Sequence, residues 1–168
     1  MNRLMRILRH RWHDETDARR LLGKSALQRL TERVRLSETR HTGEIRVCVE
    51  ASLPMSYLWR HATARERAVS MFGKLRVWDT EHNNGVLIYL LLAEHRVELV
   101  ADRGIDRKVA DARWDSVVGS MAAAFKARQF EQGLDIAVDA VGDILAEHFP
   151  ALPGVANPNE LPDEPVLR

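Results

Sequence analysis

Trp78-Asp79-Thr80-Glu81-His82-Asn83-Asn84-Gly85 runs straight into seven apolar residues, Val86 to Leu92. A polar turn fastened to an apolar run this short predicts a loop followed by a buried strand. Ala93-Glu94-His95-Arg96 comes next, then a second apolar run, Val97 to Ala101, which ends in Asp102-Arg103-Gly104-Ile105-Asp106. So short a turn permits only an antiparallel partner. Antiparallel pairing carries the loop before the first strand to the loop after the second, so two polar loops are expected to meet at one end of a hairpin.

Working outward, Gly43 precedes Glu44 to Ala51, where Ile45, Val47, Val49 and Ala51 alternate along one face. This pattern predicts a strand with a wetter second face. Ala64, Ala68, Val69, Phe72 and Leu75 recur at three- and four-residue steps, the mark of a helix that buries one side. Strand, helix and strand joined over more than thirty residues match a right-handed crossover between parallel strands. The sheet is therefore expected to be mixed. Ser25-Ala26-Leu27-Gln28 has the form of a capping box and predicts a helix over about 25–39. Val109 to Phe125 and Leu134 to Leu145 carry helical apolar spacing as well. The fold class expected is α/β, a three-layer α/β/α sandwich with a small mixed sheet. The chain divides into a basic N-terminal segment and helix over 1–40, the α/β/α domain over 41–149, and a Pro-rich tail over 150–168. Five of the six prolines lie between Pro150 and Pro165, a composition that suits a segment disordered or laid across the surface.

The 168 residues and their 45% hydrophobic content suit one globular domain. With 25 basic and 24 acidic residues the net charge is +1, so no global field draws in nucleic acid. Cys48 is the only cysteine, which excludes an internal disulfide and points to a small strand residue rather than a reactive thiol. No apolar run reaches the roughly 18 residues that span a bilayer, and cytoplasm is the expected compartment. Met1 to Trp12 sets Leu4, Leu8 and Trp12 at helical spacing among Arg3, Arg6, Arg9 and Arg11. It reads either as peripheral contact with an anionic inner-membrane surface or as a terminal helix packed on the domain or a frayed basic tail.

Asp79, Glu81, Asn83, Asn84, Asp102 and Asp106 are hard oxygen donors of the kind that calcium, and next magnesium, requires. The competing reading is that Asp79 and Asn83 make turns, Asn84-Gly85 supplies a positive φ, and Asp102 caps the segment after it. Arg103 beside Gly104 could receive a phosphate, or pair with Asp102, Asp106 or Glu81. Motifs for an activated serine, a phosphate loop or a zinc-binding helix are absent. His10 and His13 stand near one another but lack a third ligand and read as solvated helix residues.

Thr42-Gly43-Glu44-Ile45-Arg46-Val47, Asn84-Gly85-Val86-Leu87-Ile88, Asp102-Arg103-Gly104-Ile105-Asp106 and Phe125 to Gly133 together resemble the signature segments of the TPM domain, over about His41 to Phe149. The domain is named for thylakoid-lumen, photosystem II repair and acetylcholine-receptor-associated proteins. Leu75 to Tyr89 is similar to the cytosolic bacterial subgroup. The resemblance implies an α/β/α sandwich with divalent-cation sites, calcium in some members, at the sheet end already singled out. It also implies either an accessory module with an unidentified protein partner, supporting a membrane-associated complex, or a metal-assisted acid phosphatase that hydrolyses phosphomonoesters. Asp102 stands where the family's turn usually begins with glycine, and Asp106 replaces its glutamate.

Overall fold

The computed structural model describes residues 3–12, 15–154 and 158–168. Met1, Asn2 and His13 of the N-terminal segment lie outside them, as do the side chains of Arg3 and Leu4. Three helices lead in: α1 (Arg3–Arg11), α2 (Glu15–Leu21) and α3 (Lys24–Glu38). Strand β1 (Ile45–Glu50) follows, then α4 (Met55–Trp59) and α5 (Ala64–Lys74). The hairpin is β2 (Val86–Leu91) and β3 (Arg96–Ala101), joined by a 3-10 turn at Leu92–Glu94 with His95 in the left-handed region at φ 50°. The chain ends with α6 (Arg103–Asp106), α7 (Asp111–Lys126), α8 (Phe130–His148) and β4 (Val166–Leu167).

The sheet order is β3-β2-β1-β4. β1 and β2 are parallel, with Ile45 opposite Val86 and Glu50 opposite Leu91. β2 and β3 are antiparallel, with Val86 opposite Ala101. The mixed sheet expected from the crossover length and the short turn is therefore present. Alternation along the strands sorts side chains between two cores. Val47, Val49, Val86, Ile88, Leu90, Val97 and Leu99 pack with α3, α7 and α8, whereas Cys48, Leu87, Tyr89, Leu91 and Val100 pack with α4 and α5. Helices on both faces complete the α/β/α sandwich, and the two-sided cover explains why β2 is apolar throughout.

Three local expectations are corrected. The helix α3 starts at Lys24 with Gly23 as N-cap and no side-chain cap, so Ser25 and Gln28 form no capping box. Such a box does cap α5, where the Thr63 side chain accepts from the Glu66 N–H and Glu66 reaches back to the Thr63 N–H. The second face of β1 is not wet, since all six residues are buried. Arg46, Glu50 and Cys48 point there into the layer formed by α5 and the C-terminal segment, and burial pushes the Cys48 thiol up to about 12. The Pro-rich tail is ordered over 158–168 and adds β4 to the sheet, parallel to β1. Composition cannot show this, because β4 is held by backbone groups of β1: Arg168 N–H donates to Val49 O at 3.0 Å and Ala51 N–H to Arg168 O at 2.6 Å.

Candidate functional site

The hairpin brings the two polar loops together. Asp102 N–H donates to Gly85 O and Gly104 N–H to Asn83 O, both at 2.9 Å. Glycine is required at Gly104 by the approach of the two loops and at Gly85 by the chain's own turn at Val77. A Cβ on Gly85 would lie 2.0 Å from Val77 O, and one on Gly104 would lie 2.5 Å from the carbonyl oxygens of both His82 and Asn83. The positive φ of the turn falls on Asn83, at 52°, and not on Asn84-Gly85. Thr80 holds the turn, since its Oγ1 accepts from Asn84 N–H at 3.1 Å.

Of the six oxygen donors, Asp79 and Glu81 turn away. Asp79 is exposed and paired with Arg76, three residues back. Glu81 is exposed too, and its N–H donates to the Glu160 carboxylate at 3.0 Å, which ties the loop to the C-terminal segment. Asn83 is half-buried, and Asp106 lies exposed in α6. Asn84 and Asp102 are buried, and each keeps one side-chain oxygen without a hydrogen-bond partner, Oδ1 and Oδ2 respectively. Asn84 Nδ2 donates to Thr42 O at 3.0 Å, and Asp102 Oδ1 accepts from Arg103 N–H at 2.7 Å as the N-cap of α6. Asn84 is in phase with Val86 and Asp102 with Val100, so the two orphaned oxygens belong to opposite faces of the sheet end.

A buried oxygen with no donor is costly unless something positive supplies the missing contact. The Asp102 Oδ2 atom fits a hard cation in this respect. Among the described residues no three of His, Cys, Asp and Glu come close enough together to hold a metal. Any cation here would rest on one carboxylate with amide and backbone oxygens. Arg103 is exposed and makes no ion pair among the described residues, so the expected alternatives of Asp102, Asp106 or Glu81 as its partner are not realised. A cleft of about 440 Å³ opens beside Asp106, lined by Arg65, Glu98, Asp111, Trp114 and Asp115, but neither Asp102 nor Arg103 lines it.

Buried carboxyl groups near the same end of the sheet have no counterpart in the sequence reading. Glu44 takes the N–H groups of Glu160 and Leu161 on its two oxygens, each at 3.2 Å, and burial outweighs those bonds to push its carboxyl up to about 7. Glu38 accepts from Ile45 N–H at 2.9 Å; burial, aided by the charge of Glu44 and by Asp163, pushes it up to about 8. His41 is fully buried between Ser37 and Gly43, and burial holds its imidazole down at about 4. No sequence signal marks Glu44, because its partners sit on the C-terminal segment more than one hundred positions away.

Comparison with known proteins places this geometry. No curated protein matches the chain. The NMR structure of BA42 protein from the psychrophilic bacterium Bizionia argentinensis superposes with a TM-score of 0.76 at 28% identity, over 86% of this chain and 94% of that one. The N-terminal domain of a protein from P. gingivalis, solved by solution NMR, shares the fold, with a TM-score of 0.62 at 20% identity over 79% of this chain and 83% of its own. The family model of the TPM domain matches residues 16–144, starting well before His41 and so taking in α3, whose Leu30 and Val34 lie in the larger core. That match covers most of the sequence and both loops at the sheet end, and the chain belongs to the TPM domain family.

Proposed function

We propose that the protein is an accessory module of the TPM type, in which a divalent cation, calcium before magnesium, joins the Asp79 to Asn84 loop to the Asp102 to Asp106 loop. The reading is carried by one observation, the buried Asp102 Oδ2 atom that finds no donor. Bound there, a cation would neutralise the carboxylate and fix both loops for a protein partner. Calcium suits the place better than magnesium, because backbone and amide oxygens in irregular loops seldom give the strict octahedron that magnesium demands.

Calorimetric titration of metal-free protein with calcium tests this. Asp102→Asn keeps the N-cap of α6, since asparagine caps as well as aspartate, but removes the charge. The variant is expected to bind calcium about tenfold or more weakly, the effect of losing a charged ligand. Asp79→Asn is expected to matter less, because that carboxylate already pairs with Arg76. Absence of calcium uptake by the parent protein, or unchanged affinity in Asp102→Asn, removes the cation from the proposal.

The exposed Arg103 favours a second reading, a metal-assisted phosphomonoesterase with the guanidinium against the phosphoryl oxygens. That reading also needs an open coordination position facing a cleft, and the cleft beside Asp106 does not include Arg103. Turnover of a simple aryl phosphate in calcium or magnesium is therefore expected to stay at trace level. Robust hydrolysis lost in Arg103→Ala would reverse the ranking of the two readings.

A further inference from the structure

Helix α1 is mounted with its apolar side outward. Residues 100° apart around a helix place Arg6, Ile7 and His10 on one arc and Met5, Leu8, Arg9 and Trp12 on the opposite arc. A helix of a water-soluble domain turns its apolar stripe to the core. Here the inner arc is mostly polar. Arg6 Nε donates to Glu94 Oε1 at 2.6 Å and its Nη2 donates to Ala62 O at 2.7 Å. The Leu53 N–H donates to His10 Nδ1 at 3.0 Å, which leaves the ring proton on Nε2 to meet Glu94 Oε1 at 2.9 Å. Ile7 adds an apolar contact, packing on the smaller core. These bonds fix the rotation of the helix and leave Met5, Leu8 and Trp12 at 63%, 49% and 82% exposure.

The neighbouring helix extends that surface. α4 contacts α1 and exposes Met55 and Trp59. The sequence stretches that carry the two helices, 1–12 and 51–65, together hold six arginines and no aspartate or glutamate. Arg6 is committed to Glu94 and Arg65 to Leu99 and Glu98, while Arg11 and Arg60 stay exposed and Arg9 half-buried. A chain of net charge +1 has thus concentrated cations around its largest exposed apolar side chains. No described helix is long and apolar enough to cross a membrane. Apolar side chains ringed by arginine, with two tryptophans among them, match the headgroup boundary of an anionic bilayer, where indole rings settle and basic groups meet lipid phosphates.

We propose that α1 and α4 form a surface that docks the protein flat on an anionic membrane, with Leu8 and Trp12 entering the headgroup boundary. The polar anchor through Glu94 makes the helix part of the folded domain, so docking leaves the sheet-end loops rigidly placed relative to the bilayer.

Flotation of the full chain with vesicles of phosphatidylglycerol and phosphatidylcholine in equal parts tests the proposal, with phosphatidylcholine vesicles as the comparison. The parent protein is expected to float with the anionic vesicles, less so in high salt, and only marginally with the neutral ones. Leu8→Ser with Trp12→Ser is expected to lower partitioning at least about tenfold. Both residues lie outside the core, so the far-ultraviolet circular dichroism and the thermal unfolding midpoint of the variant should match the parent. Leu152→Ser, at an exposed apolar residue elsewhere, should float like the parent. Three results would each overturn the proposal: no flotation of the parent, equal flotation of the double variant, or self-association in the absence of lipid that the double variant abolishes.

Discussion

Glu50 and Arg67 bring charge into the smaller core, and their bonds to each other and to Tyr89 make that tolerable. Arg67 donates to both Glu50 oxygens, Nε to Oε2 at 2.8 Å and Nη2 to Oε1 at 2.5 Å, and Tyr89 OH donates to Oε2 at 2.6 Å. The Tyr57 ring covers the guanidinium, with its centroid 4.9 Å away. The hydrogen bonds to Glu50 hold Arg67 charged above its ordinary range, whereas burial and the adjacent carboxylate push the Tyr89 phenol far up. Removing one partner strands the other. Arg67→Met is expected to lower unfolding stability by about 3–5 kcal/mol in urea titration, and Glu50→Gln combined with Arg67→Met to recover part of it, because no uncompensated charge then stays inside. A double variant no better than Arg67→Met alone would show that the loss comes from packing. In sequence Glu50 looks like one more polar residue on a wet strand face, since its partners lie 17 and 39 positions away. Asp102 and Asn84 were legible as oxygen donors, because the hairpin that buries them follows from local pattern. That Asp79 and Glu81 turn elsewhere depends on Arg76 and on Glu160 of a distant segment, which periodicity does not report.

Among the elements, β2, β3 and the crossover through α5 follow directly from run length, turn length and connection length. The cap of α5 was equally readable, as Thr63-Ala64-Arg65-Glu66, whereas Ser25 to Gln28 shows the same form inside a helix already begun. The rotation of α1 is of another kind. Its apolar spacing shows that one stripe exists, but the side on which the helix docks depends on Glu94, at the far turn of the hairpin. Burial alone would raise that carboxyl, yet the bonds from His10 and Arg6 together hold it down at about 2. A carboxyl lowered by folding stabilises the docked helix above its ordinary value near 4.5, and that stabilisation is lost as pH falls toward about 2. At neutral pH, Glu94→Gln should loosen α1 while sparing the sheet. Tryptic cleavage after Arg9 and Arg11 is expected to speed up about tenfold, the effect of losing one charge-assisted hydrogen bond, with the far-ultraviolet spectrum nearly unchanged. Cleavage at the parent rate would mean that the Arg6 bond to Ala62 O, the Leu53 bond to His10 and Ile7 hold the helix without the Glu94 carboxylate.

At the scale of the whole molecule, the C-terminal segment supplies the edge strand beside β1. β4 pairs with only Cys48 and Val49, too little to hold a strand by itself, so side chains of the domain add to the hold of those backbone bonds. Arg46 donates to the carbonyls of Pro162 and Glu164, Glu44 takes the N–H groups of Glu160 and Leu161, and Leu161 is buried in the smaller core. Prolines suit such a segment because it needs no ladder of its own. Two of the carboxyl groups that grip it or lie beside it, Glu44 at about 7 and Glu38 at about 8, are raised from 4.5. A carboxyl raised by folding contributes stability that is complete below its ordinary value and is lost as pH rises through the raised one. Docking of residues 158–168 should therefore weaken as pH climbs through about 7 to 8, the reverse of the trend expected for Glu94. The Arg168 and Ala51 amides report on it, since their N–H groups bond across the β1–β4 edge. Their hydrogen-exchange protection factors, corrected for the intrinsic rate at each pH, should fall over that range while those of β2 hold. In Glu44→Gln, whose side chain cannot ionise, the fall should shrink and shift toward the range set by Glu38. Protection at Arg168 that is flat with pH in the parent would show that backbone pairing and Arg46, rather than neutral carboxyl groups, keep the segment in place.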